Sequence, residues 1–335
     1  MVKPLGEFDF IEQFLVAQAA QGQGFYQRSD TLGIGDDCAI LPPLAPDEQM
    51  VVSTDMLVEG RHYYPDVDPH ALGHKVLAVN LSDLAAMGAQ PVAFTLAAAL
   101  RGLDPDWLEA FLSGMLALAR ASQCALIGGD TTGMPGAGPQ VFSVTVMGRV
   151  ACGAACRRSG LCANDDLWVS GSLGDPAYAV RLGRHGEKLL RPTPRLDLGI
   201  GLRGIAHAAI DVSDGLHSEV MHLLRASGGL AASLTIDALP LAPDVQSAVA
   251  QGQLTLLQAQ ALAMTGGDEY ELVFSAGPEH RDAITQLGLA LRLPLTRIGH
   301  VVPAPQPRIQ WHDATGEPVS PELEAQVKQG GFRHF

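Results

Sequence analysis

Acidic residues recur in this sequence beside glycine, serine and threonine, in short segments suited to binding a cation. The acids and hydroxyls of these segments are Asp36, Asp37, Ser53, Thr54, Asp55, Asp83, Asp130, Asp211, Ser213 and Asp214. Taken singly, each acid has an ordinary structural role open to it, because aspartate closes turns and caps helices. As a set they supply carboxylate and hydroxyl oxygens, which are ligands that Mg²⁺ prefers. The set therefore favours a magnesium site.

The charge balance also favours a bound cation. The 335 residues carry a formal net charge of −14, and the first 61 contain only three basic residues, Lys3, Arg28 and Arg61. A buried carboxylate without a cationic partner costs several kcal/mol, so the scarce basic residues leave divalent cations as the natural partners. Nucleic acid and anionic membranes bind positive surfaces and are poor partners for such a chain.

Several familiar phosphate-binding and catalytic signatures are absent from the sequence. There is no Gly-x-x-x-x-Gly-Lys-Ser/Thr loop, no His-Arg-Asp catalytic loop and no EF-hand run. Gly33-Ile34-Gly35 begins like a dinucleotide loop, but the acids that follow would repel a pyrophosphate unless a metal intervened. Many carboxylates beside glycines suit phosphoryl transfer, in which metal ions neutralise phosphate oxygens.

Hydrophobic periodicity predicts the elements that must position these acids. We expect helices over residues 8–20, 69–88, 106–121, 175–182, 194–208 and 215–226, and strands over 50–55, 92–100, 124–127, 141–150 and 166–170. Asp55 and Asp130 are then expected where strands end. Helices and strands mix in both halves, which indicates an α/β (α+β) fold with domains over 1–150 and 151–335.

The apolar runs indicate where the protein is located, and the cysteines raise the question of a zinc site. The longest apolar run, residues 93–100, is far below the roughly 20 residues that span a bilayer. The N-terminal segment carries acids and no long apolar stretch, so we expect no signal peptide and a cytoplasmic protein. Cys152, Cys156 and Cys162 cluster loosely and suggest zinc. Their spacing fits no Cys-x-x-Cys pair and no His pair accompanies them, so incidental thiols are the favoured interpretation.

The motifs, read in order, resemble a known family. They are GIGDDCA (33–39), STDMLVEGRH (53–62), KVLAVNLSDLAAMGA (75–89), GGDTT (128–132), RSG (158–160), DVSDGL (211–216) and GGDEYEL (266–272). This ordered set is similar to the thiamine-monophosphate kinases, within the aminoimidazole-ribonucleotide-synthetase-like superfamily. The resemblance extends over almost the whole chain.

The resemblance implies an enzyme that uses ATP and several Mg²⁺ ions to phosphorylate thiamine monophosphate. It implies a homodimer whose N-terminal domains, which bind ATP and Mg²⁺, pair their sheets, with a C-terminal α+β domain in each chain. The metal ligands it implies are Asp37, Ser53, Thr54, Asp55, Asp83, Asp130, Asp211 and Asp214. The implied ATP contacts are Gly129, Asp130, Arg158 and Ser213, and the implied substrate contacts are His62, Asp268 and Phe332.

Two departures from the family pattern concern the substrate contacts. The family more commonly has Gly-Gly-Glu-Asp-Tyr where this chain has Gly-Gly-Asp-Glu-Tyr, which leaves Glu269 as an alternative to Asp268. Phe332 can stack on an aromatic ring but has no hydroxyl to donate a hydrogen bond.

The hypothesis from the sequence is direct, in-line transfer of the ATP γ-phosphoryl group to a phosphate oxygen of thiamine monophosphate. The acceptor is already an anion at neutral pH, so no general base and no catalytic side chain is expected beyond the metal ligands. Two alternatives stay open. One is an ATP-dependent synthetase of the same superfamily, and the other is a non-catalytic module that binds metal or nucleotide.

Overall fold

The computed structural model describes residues 24–34, 38–183 and 186–329. The helix expected over residues 8–20, together with Asp36, Asp37 and Phe332, lies outside the described residues. The chain divides into two compact units, which we describe separately. The first unit contains residues up to 84 and residues 89–153, and the second contains residues 85–88 and those from 154 onward.

The first unit is a four-stranded sheet with helices on one face. Its elements are β1 (Glu48–Val58), α1 (Pro69–Ala86), β2 (Gln90–Leu100), α2 (Pro105–Ala121), β3 (Ala125–Gly133) and β4 (Val141–Ala151). The strand order is β1-β4-β2-β3, with only the β2–β3 pair parallel. Helix α2 begins where the Asp104 side chain caps the backbone N–H groups of Asp106 and Trp107. Its Phe111 stacks on Phe142 of β4 with ring centroids 4.7 Å apart, which fixes the helix against the sheet.

The second unit is built on a six-stranded mixed sheet of order β10-β7-β9-β5-β8-β6. Its strands are β5 (Asp166–Ser170), β6 (Ala206–Asp211), β7 (Leu230–Thr235), β8 (Leu272–Ala276), β9 (Leu295–Pro303) and β10 (Ile309–His312). Its helices are α3 (Asp175–Arg181), α4 (Glu187–Leu190), α5 (Leu196–Gly201), α6 (Leu216–Ser227), α7 (Pro243–Ala250), α8 (Leu256–Thr265), α9 (Arg281–Leu291) and α10 (Pro321–Gln329). The central strands β5 and β8 are buried along their whole length.

The expected mixed α/β class is confirmed, but three elements differ from expectation. The helix expected over 194–208 is wrong, because α5 ends at Gly201 and residues 206–211 form β6, paired with β8. Apolar residues at helical spacing favour a helix locally, and pairing with a buried strand overrides that weak preference. Strand β1 continues through Asp55 to Val58, and β3 continues through Asp130 to Gly133. Both acids therefore lie within strands and not at strand ends.

Among the described residues, no helix combines the length and apolar character needed to cross a membrane.

Candidate functional site

The first unit brings a hydroxyl and two acids together where β1 meets α1. The Ser53 hydroxyl donates to Asp83 Oδ2 at 2.5 Å. Side chains alternate along a strand, so Asp55 projects to the same face of β1 as Ser53. The backbone N–H of Asp55 donates to Asn80 Oδ1 at 2.9 Å, and the fully buried Asn80 in turn donates to the carbonyl of Val76 at 3.0 Å. Asn80 therefore fixes the edge of β1 against α1.

These donors fit a hard divalent cation. The cluster of Ser53, Asp55 and Asp83 offers only hydroxyl and carboxylate oxygens, the ligand chemistry of Mg²⁺. Thr54 does not join the cluster. It lies on the opposite face of β1, where its hydroxyl donates to the carbonyl of Val144 at 2.9 Å and accepts from Thr145 at 3.1 Å. Asp37, which is also expected as a ligand, lies outside the described residues.

Asp130 lies on the other edge of the same sheet. It pairs with Ala97 of β2, and Asp55 is on β1, three strand spacings away. With strands about 4.8 Å apart, the two backbones are separated by about 14 Å. The structure therefore does not bring Asp130 to the Ser53 cluster within this sheet. Gly129 has a packing role, because a Cβ atom there would lie 1.9 Å from the carbonyl oxygen of Leu96.

An apolar cavity of about 100 Å³ lies beside Asp130, between the sheet and α2. Its walls include Leu96, Leu100, Leu108, Phe111, Leu126 and Phe142, and one end is formed by Gly128, Gly129, Asp130 and Thr131. An added Cβ at Gly128 would meet nothing closer than 3.9 Å, so this glycine leaves open space where Gly129 does not. Such a cavity suits an apolar ring, and the carboxylate at its end favours a cation.

His62 is held in the turn after β1. The backbone N–H of Val58 donates to His62 Nδ1 at 2.9 Å, which in the neutral ring places the proton on Nε2. The buried Lys75 donates to the carbonyl of His62 at 3.3 Å. The ring is thus oriented by contacts from both sides of the turn.

In the second unit, Asp211 ends β6, and Ser213 and Asp214 lie in the connection between β6 and α6. The buried Glu219 of α6 accepts from the backbone N–H of Asp214 at 3.1 Å and from the Ser213 hydroxyl at 3.4 Å. Burial raises the pKa of Glu219 to about 7, and the nearby charge of Asp214 adds to the effect while that of Arg158 opposes it. Arg158, Ser213 and Asp214 therefore share one neighbourhood at the start of α6.

Asp268 lies in the loop between α8 and β8. Its φ is +61°, a left-handed conformation that aspartate and asparagine tolerate better than most residues. The Tyr270 hydroxyl donates to Asp268 Oδ1 at 3.1 Å, and the Asp268 backbone N–H donates to the carbonyl of Ser213 at 2.8 Å. The half-buried Asp268 thus reaches the surface beside the β6–α6 connection.

Glu269 is turned into the core. It is 1% exposed, and its two oxygens accept from the Gly174 backbone N–H at 2.5 Å and from Lys188 Nζ at 2.8 Å. Lys188 also lies 3.2 Å from Glu271, whose carboxylate binds Arg195 through two hydrogen bonds of 2.6 and 2.7 Å. Burial would raise the pKa of Glu271, but Arg195 and Lys188 outweigh it and hold the pKa below its usual range. Glu269 and Glu271 anchor the loop, which leaves Asp268 as its outward acid.

Comparison with known proteins places the chain in a family. Residues 35–150 match the family described as AIR synthase related protein, N-terminal domain. The chain is 41% identical over 283 residues to the thiamine-monophosphate kinase of Salmonella typhimurium, a match that covers 80% of this chain and 83% of that protein. The chain belongs to the thiamine-monophosphate kinase family. The resemblance noted from the sequence motifs is therefore confirmed, and with it the kinase class.

Solved structures agree with this family membership. The crystal structure of thiamine-monophosphate kinase from Stenotrophomonas maltophilia K279a is 41% identical, has a TM-score of 0.80, and covers 95% of this chain and 99% of its own. The structure of AaThiL complexed with AMPPCP and TMP is 24% identical with a TM-score of 0.72, covering 99% and 97%, and supports the fold alone.

Sequence reasoning missed three residues that position this family's motifs in the chain. Asn80 was part of a recognised motif, but only the fold shows that it holds the backbone of Asp55. Glu219 occupies the apolar side of α6 among Leu216, Val220 and Leu223, so a polar residue interrupting that stripe was the available signal. Lys188 carried no signal, because its acidic partners, Glu269 and Glu271, are more than eighty residues away in the chain.

Proposed function

We propose that this chain transfers the γ-phosphoryl group of ATP to thiamine monophosphate, giving thiamine diphosphate, by direct in-line transfer supported by several Mg²⁺ ions. Family membership supports the substrate, and AaThiL, a protein of the same fold, has been seen with AMPPCP and TMP. The observation that carries the chemistry is the all-oxygen cluster of Ser53, Asp55 and Asp83 at the edge of β1.

The proposed ligands hold the ions through oxygen atoms. They are Asp37, Ser53, Thr54, Asp55, Asp83, Asp130, Asp211 and Asp214. Bound Mg²⁺ would neutralise negative charge on the transferring phosphoryl group. Because Ser53 donates to Asp83, its hydroxyl oxygen keeps lone pairs available for a cation while the serine orients the carboxylate. For Thr54, whose hydroxyl contacts the neighbouring strand, the backbone carbonyl is the more suitable ligand atom.

ATP is proposed to contact Gly129, Asp130, Arg158 and Ser213. The apolar cavity beside Gly128 and Asp130 is proposed to hold the purine ring, because its walls are leucine and phenylalanine. The Asp130 carboxylate at its end would meet the phosphates only through a bound Mg²⁺, since the two anions repel each other directly. Arg158 provides a guanidinium for phosphate oxygens, a pairing that is strong because it is charge-assisted. The Ser213 hydroxyl lies at the start of α6, where backbone N–H groups also favour an anion.

Thiamine monophosphate is proposed to contact His62, Asp268 and Phe332. With Nδ1 of His62 accepting from Val58, the Nε2–H group has the chemistry to donate to a phosphate oxygen. Asp268 suits the cationic thiazolium ring, since Glu269 is already paired inside the core. Phe332 would stack on an aromatic ring of the substrate. The acceptor phosphate is an anion, so none of these residues needs to remove a proton.

A homodimer that pairs the first units through their sheets is part of the proposal. The face of β1 opposite Ser53 exposes Val52 and Met56, at 62% and 57%, and within the described residues no further strand pairs with the outer edge of β1 or of β3. Pairing two such sheets would bury this face and protect the edges. It would also offer a way to bring the β1 acids near a β3 carboxylate from another chain. Light scattering of the wild-type chain and of Met56→Lys would test this, with the wild type dimeric and the variant weakened.

We also propose a cytoplasmic location. Cys38, Cys152 and Cys162 are exposed free thiols, which persist in a reducing compartment.

The decisive test of the activity is ADP release with defined acceptors. With Mg²⁺ and thiamine monophosphate as sole acceptor, ADP and thiamine diphosphate should form in equal amounts. Release that requires a different acceptor would favour a synthetase of the superfamily, and no release with any acceptor would favour a binding module. A phosphorylated enzyme trapped with γ-labelled ATP would refute direct transfer.

A further inference from the structure

A second group of metal-binding side chains lies in the second unit, apart from the acids described above. Cys162, Asp165 and His207 each present a ligand atom, and the three atoms lie within 4.8 Å of one another. Cys162 and Asp165 belong to the turn before β5, and His207 lies on β6. The three residues represent three kinds of ligand: a thiol, a carboxylate and an imidazole.

Asp165 is a buried carboxylate whose surroundings contain no full cation. It is 2% exposed and accepts from the Cys162 backbone N–H at 2.9 Å, from the Ser275 hydroxyl at 3.0 Å and from His207 Nδ1 at 2.9 Å. In the part of the chain that the structure describes, no lysine or arginine pairs with it. A buried carboxylate is costly unless a cation accompanies it.

The next residue, Asp166, is a buried carboxylate that does have cationic partners. Asp166 is also buried, but it binds Arg281 through hydrogen bonds of 2.5 and 2.9 Å and Arg297 through one of 3.1 Å. The two adjacent carboxylates therefore differ in their partners. Asp166 binds two guanidinium groups, whereas the described partners of Asp165 are a half-exposed imidazole, a hydroxyl and a backbone N–H.

Local backbone features hold the three side chains together. The pairing of β6 with β8 shifts register between Ala206 and Ala208, so His207 is the extra residue of a β-bulge, a feature that redirects a side chain. Gly160, at φ +131°, lies so close to the His207 carbonyl that a Cβ there would be 2.3 Å from the oxygen. The Ser227 hydroxyl accepts from the N–H groups of Gly160 and Leu161, which fixes the segment leading to Cys162.

We propose that Cys162, Asp165 and His207 bind a thiolate-preferring divalent metal ion of the zinc class, with the fourth position open to water. Magnesium avoids sulfur ligands, whereas Zn²⁺ readily combines sulfur, nitrogen and oxygen. Bonds of about 2.0–2.3 Å in a tetrahedron place ligand atoms roughly 3.2–3.8 Å apart, so the exposed Cys162 side chain needs to move only about 1 Å. Binding releases the Cys162 thiol proton to solvent, while the proton that the neutral His207 ring donates from Nδ1 to Asp165 moves to Nε2, so His207 remains a neutral imidazole.

The site is tested by titrating the full-length chain with Co²⁺ in the presence of excess Mg²⁺. Cobalt bound by a thiolate gives a near-ultraviolet sulfur-to-metal charge-transfer band, whereas cobalt at an oxygen-only magnesium site gives none. We expect the band to saturate at one equivalent of Co²⁺ and to disappear on adding one equivalent of Zn²⁺. Cys162→Ser should abolish the band, and His207→Asn should weaken Co²⁺ binding by more than about tenfold.

Cys152→Ser is the matched control, because Cys152 is also exposed but lies in the first unit. The proposal is overturned if the wild type gives no band, if the band survives Cys162→Ser, or if Cys152→Ser removes it. Cys162 is exposed and takes no part in the proposed phosphoryl transfer, so Cys162→Ser should keep wild-type turnover with Mg²⁺, which also shows that it folds. A chain without kinase activity but with the cobalt band would refute the proposed function and leave this site intact.

Discussion

Exchanging the two acids of the Gly-Gly-Asp-Glu-Tyr loop one at a time should separate substrate binding from folding. Asp268→Asn keeps the left-handed backbone conformation, because asparagine also tolerates positive φ, and it keeps an oxygen to accept from Tyr270. We expect its free energy of unfolding to stay within about 0.5 kcal/mol of wild type. If Asp268 contacts the substrate through a charge-assisted interaction of about 1.5–3 kcal/mol, KM for thiamine monophosphate should rise roughly 10- to 150-fold.

Glu269→Gln should instead lower the free energy of unfolding and leave KM for thiamine monophosphate nearly unchanged. The glutamine retains an acceptor for the Gly174 N–H, but it leaves Lys188 facing an amide in place of a carboxylate at 2.8 Å. Lys188 keeps its charge, because Glu269 and Glu271 raise its pKa against the effect of burial. Breaking a buried ion pair costs about 3–5 kcal/mol. Burial raises the pKa of Glu269 to about 7, so its carboxyl is only partly charged at neutral pH, and Lys188 is partly exposed and keeps its contact with Glu271. The expected loss therefore lies at the low end of that range.

Urea unfolding, thermal unfolding and steady-state kinetics on the two variants are the required measurements. A loss of 3 kcal/mol should lower the midpoint of thermal unfolding by about 6–12 °C for a unit of this size. Folded Glu269→Gln protein should then show KM for thiamine monophosphate within about threefold of wild type, since Glu269 is proposed to anchor the loop and not to contact the substrate. The reasoning is refuted if Glu269→Gln raises KM at unchanged stability while Asp268→Asn leaves KM unchanged.

Three further substitutions test the cation cluster, the β2–β3 pairing and a buried ion pair. Asp83→Asn keeps an acceptor for Ser53 but removes a proposed ligand charge, so turnover at fixed Mg²⁺ should fall about 10²–10³-fold with little change in unfolding midpoint. Asp106→Asn, on an exposed turn of α2, is the control. Equal turnover in both variants would contradict the assignment of Asp83. Gly129→Ala should destabilise the first unit by about 3 kcal/mol in urea unfolding, because the added Cβ would meet the Leu96 carbonyl. Gly133→Ala is the control and should cost less than about 1 kcal/mol, because a Cβ there meets nothing within 4 Å. Similar losses in the two variants would refute the packing role of Gly129. Burial favours a higher pKa for Asp166, but Arg281 and Arg297 hold that pKa below its ordinary value, so the charged form adds stability above the ordinary carboxylate pKa and loses it as pH falls. Asp166→Asn should therefore destabilise the protein by about 1–2 kcal/mol at pH 7 and by less in acid. The loss at pH 7 is modest because both arginines are half-exposed and solvent weakens the pairs. A pH-independent loss would contradict the ion-pair explanation.

The family and the mixed α/β class could be predicted from the sequence because both depend on local signals. Strand β5 was predicted at residues 166–170, as observed, since a short apolar run there is bounded by acids and glycine. The segment 194–208 was predicted wrongly for a corresponding reason. Leu198, Leu202 and Ile205 lie at helical spacing and favour a helix locally, and only pairing with β8, more than sixty residues later, makes part of the segment a strand.

The arrangement of the candidate site was less accessible to sequence reasoning. Asp55, Asp83 and Asp130 were grouped as one set, yet the strand order β1-β4-β2-β3 puts Asp55 and Asp130 on opposite edges. Strand order is a long-range property that no local pattern contains. The cysteine cluster illustrates the same limit. Cys152, Cys156 and Cys162 were set aside because their spacing fits no Cys-x-x-Cys pair and no His pair accompanies them. The histidine that lies near Cys162, His207, is 45 positions further along the chain and is redirected by a bulge.

The fate of labelled γ-phosphate tests the central claim most directly. The full-length chain would be incubated with Mg²⁺, thiamine monophosphate and ATP labelled at the γ-phosphorus, and the products separated during the first turnovers. Direct transfer predicts that all transferred label is in thiamine diphosphate, in a one-to-one ratio with ADP, and that none stays on the protein. Label on the protein, or ADP formed without labelled thiamine diphosphate, would contradict the proposed reaction.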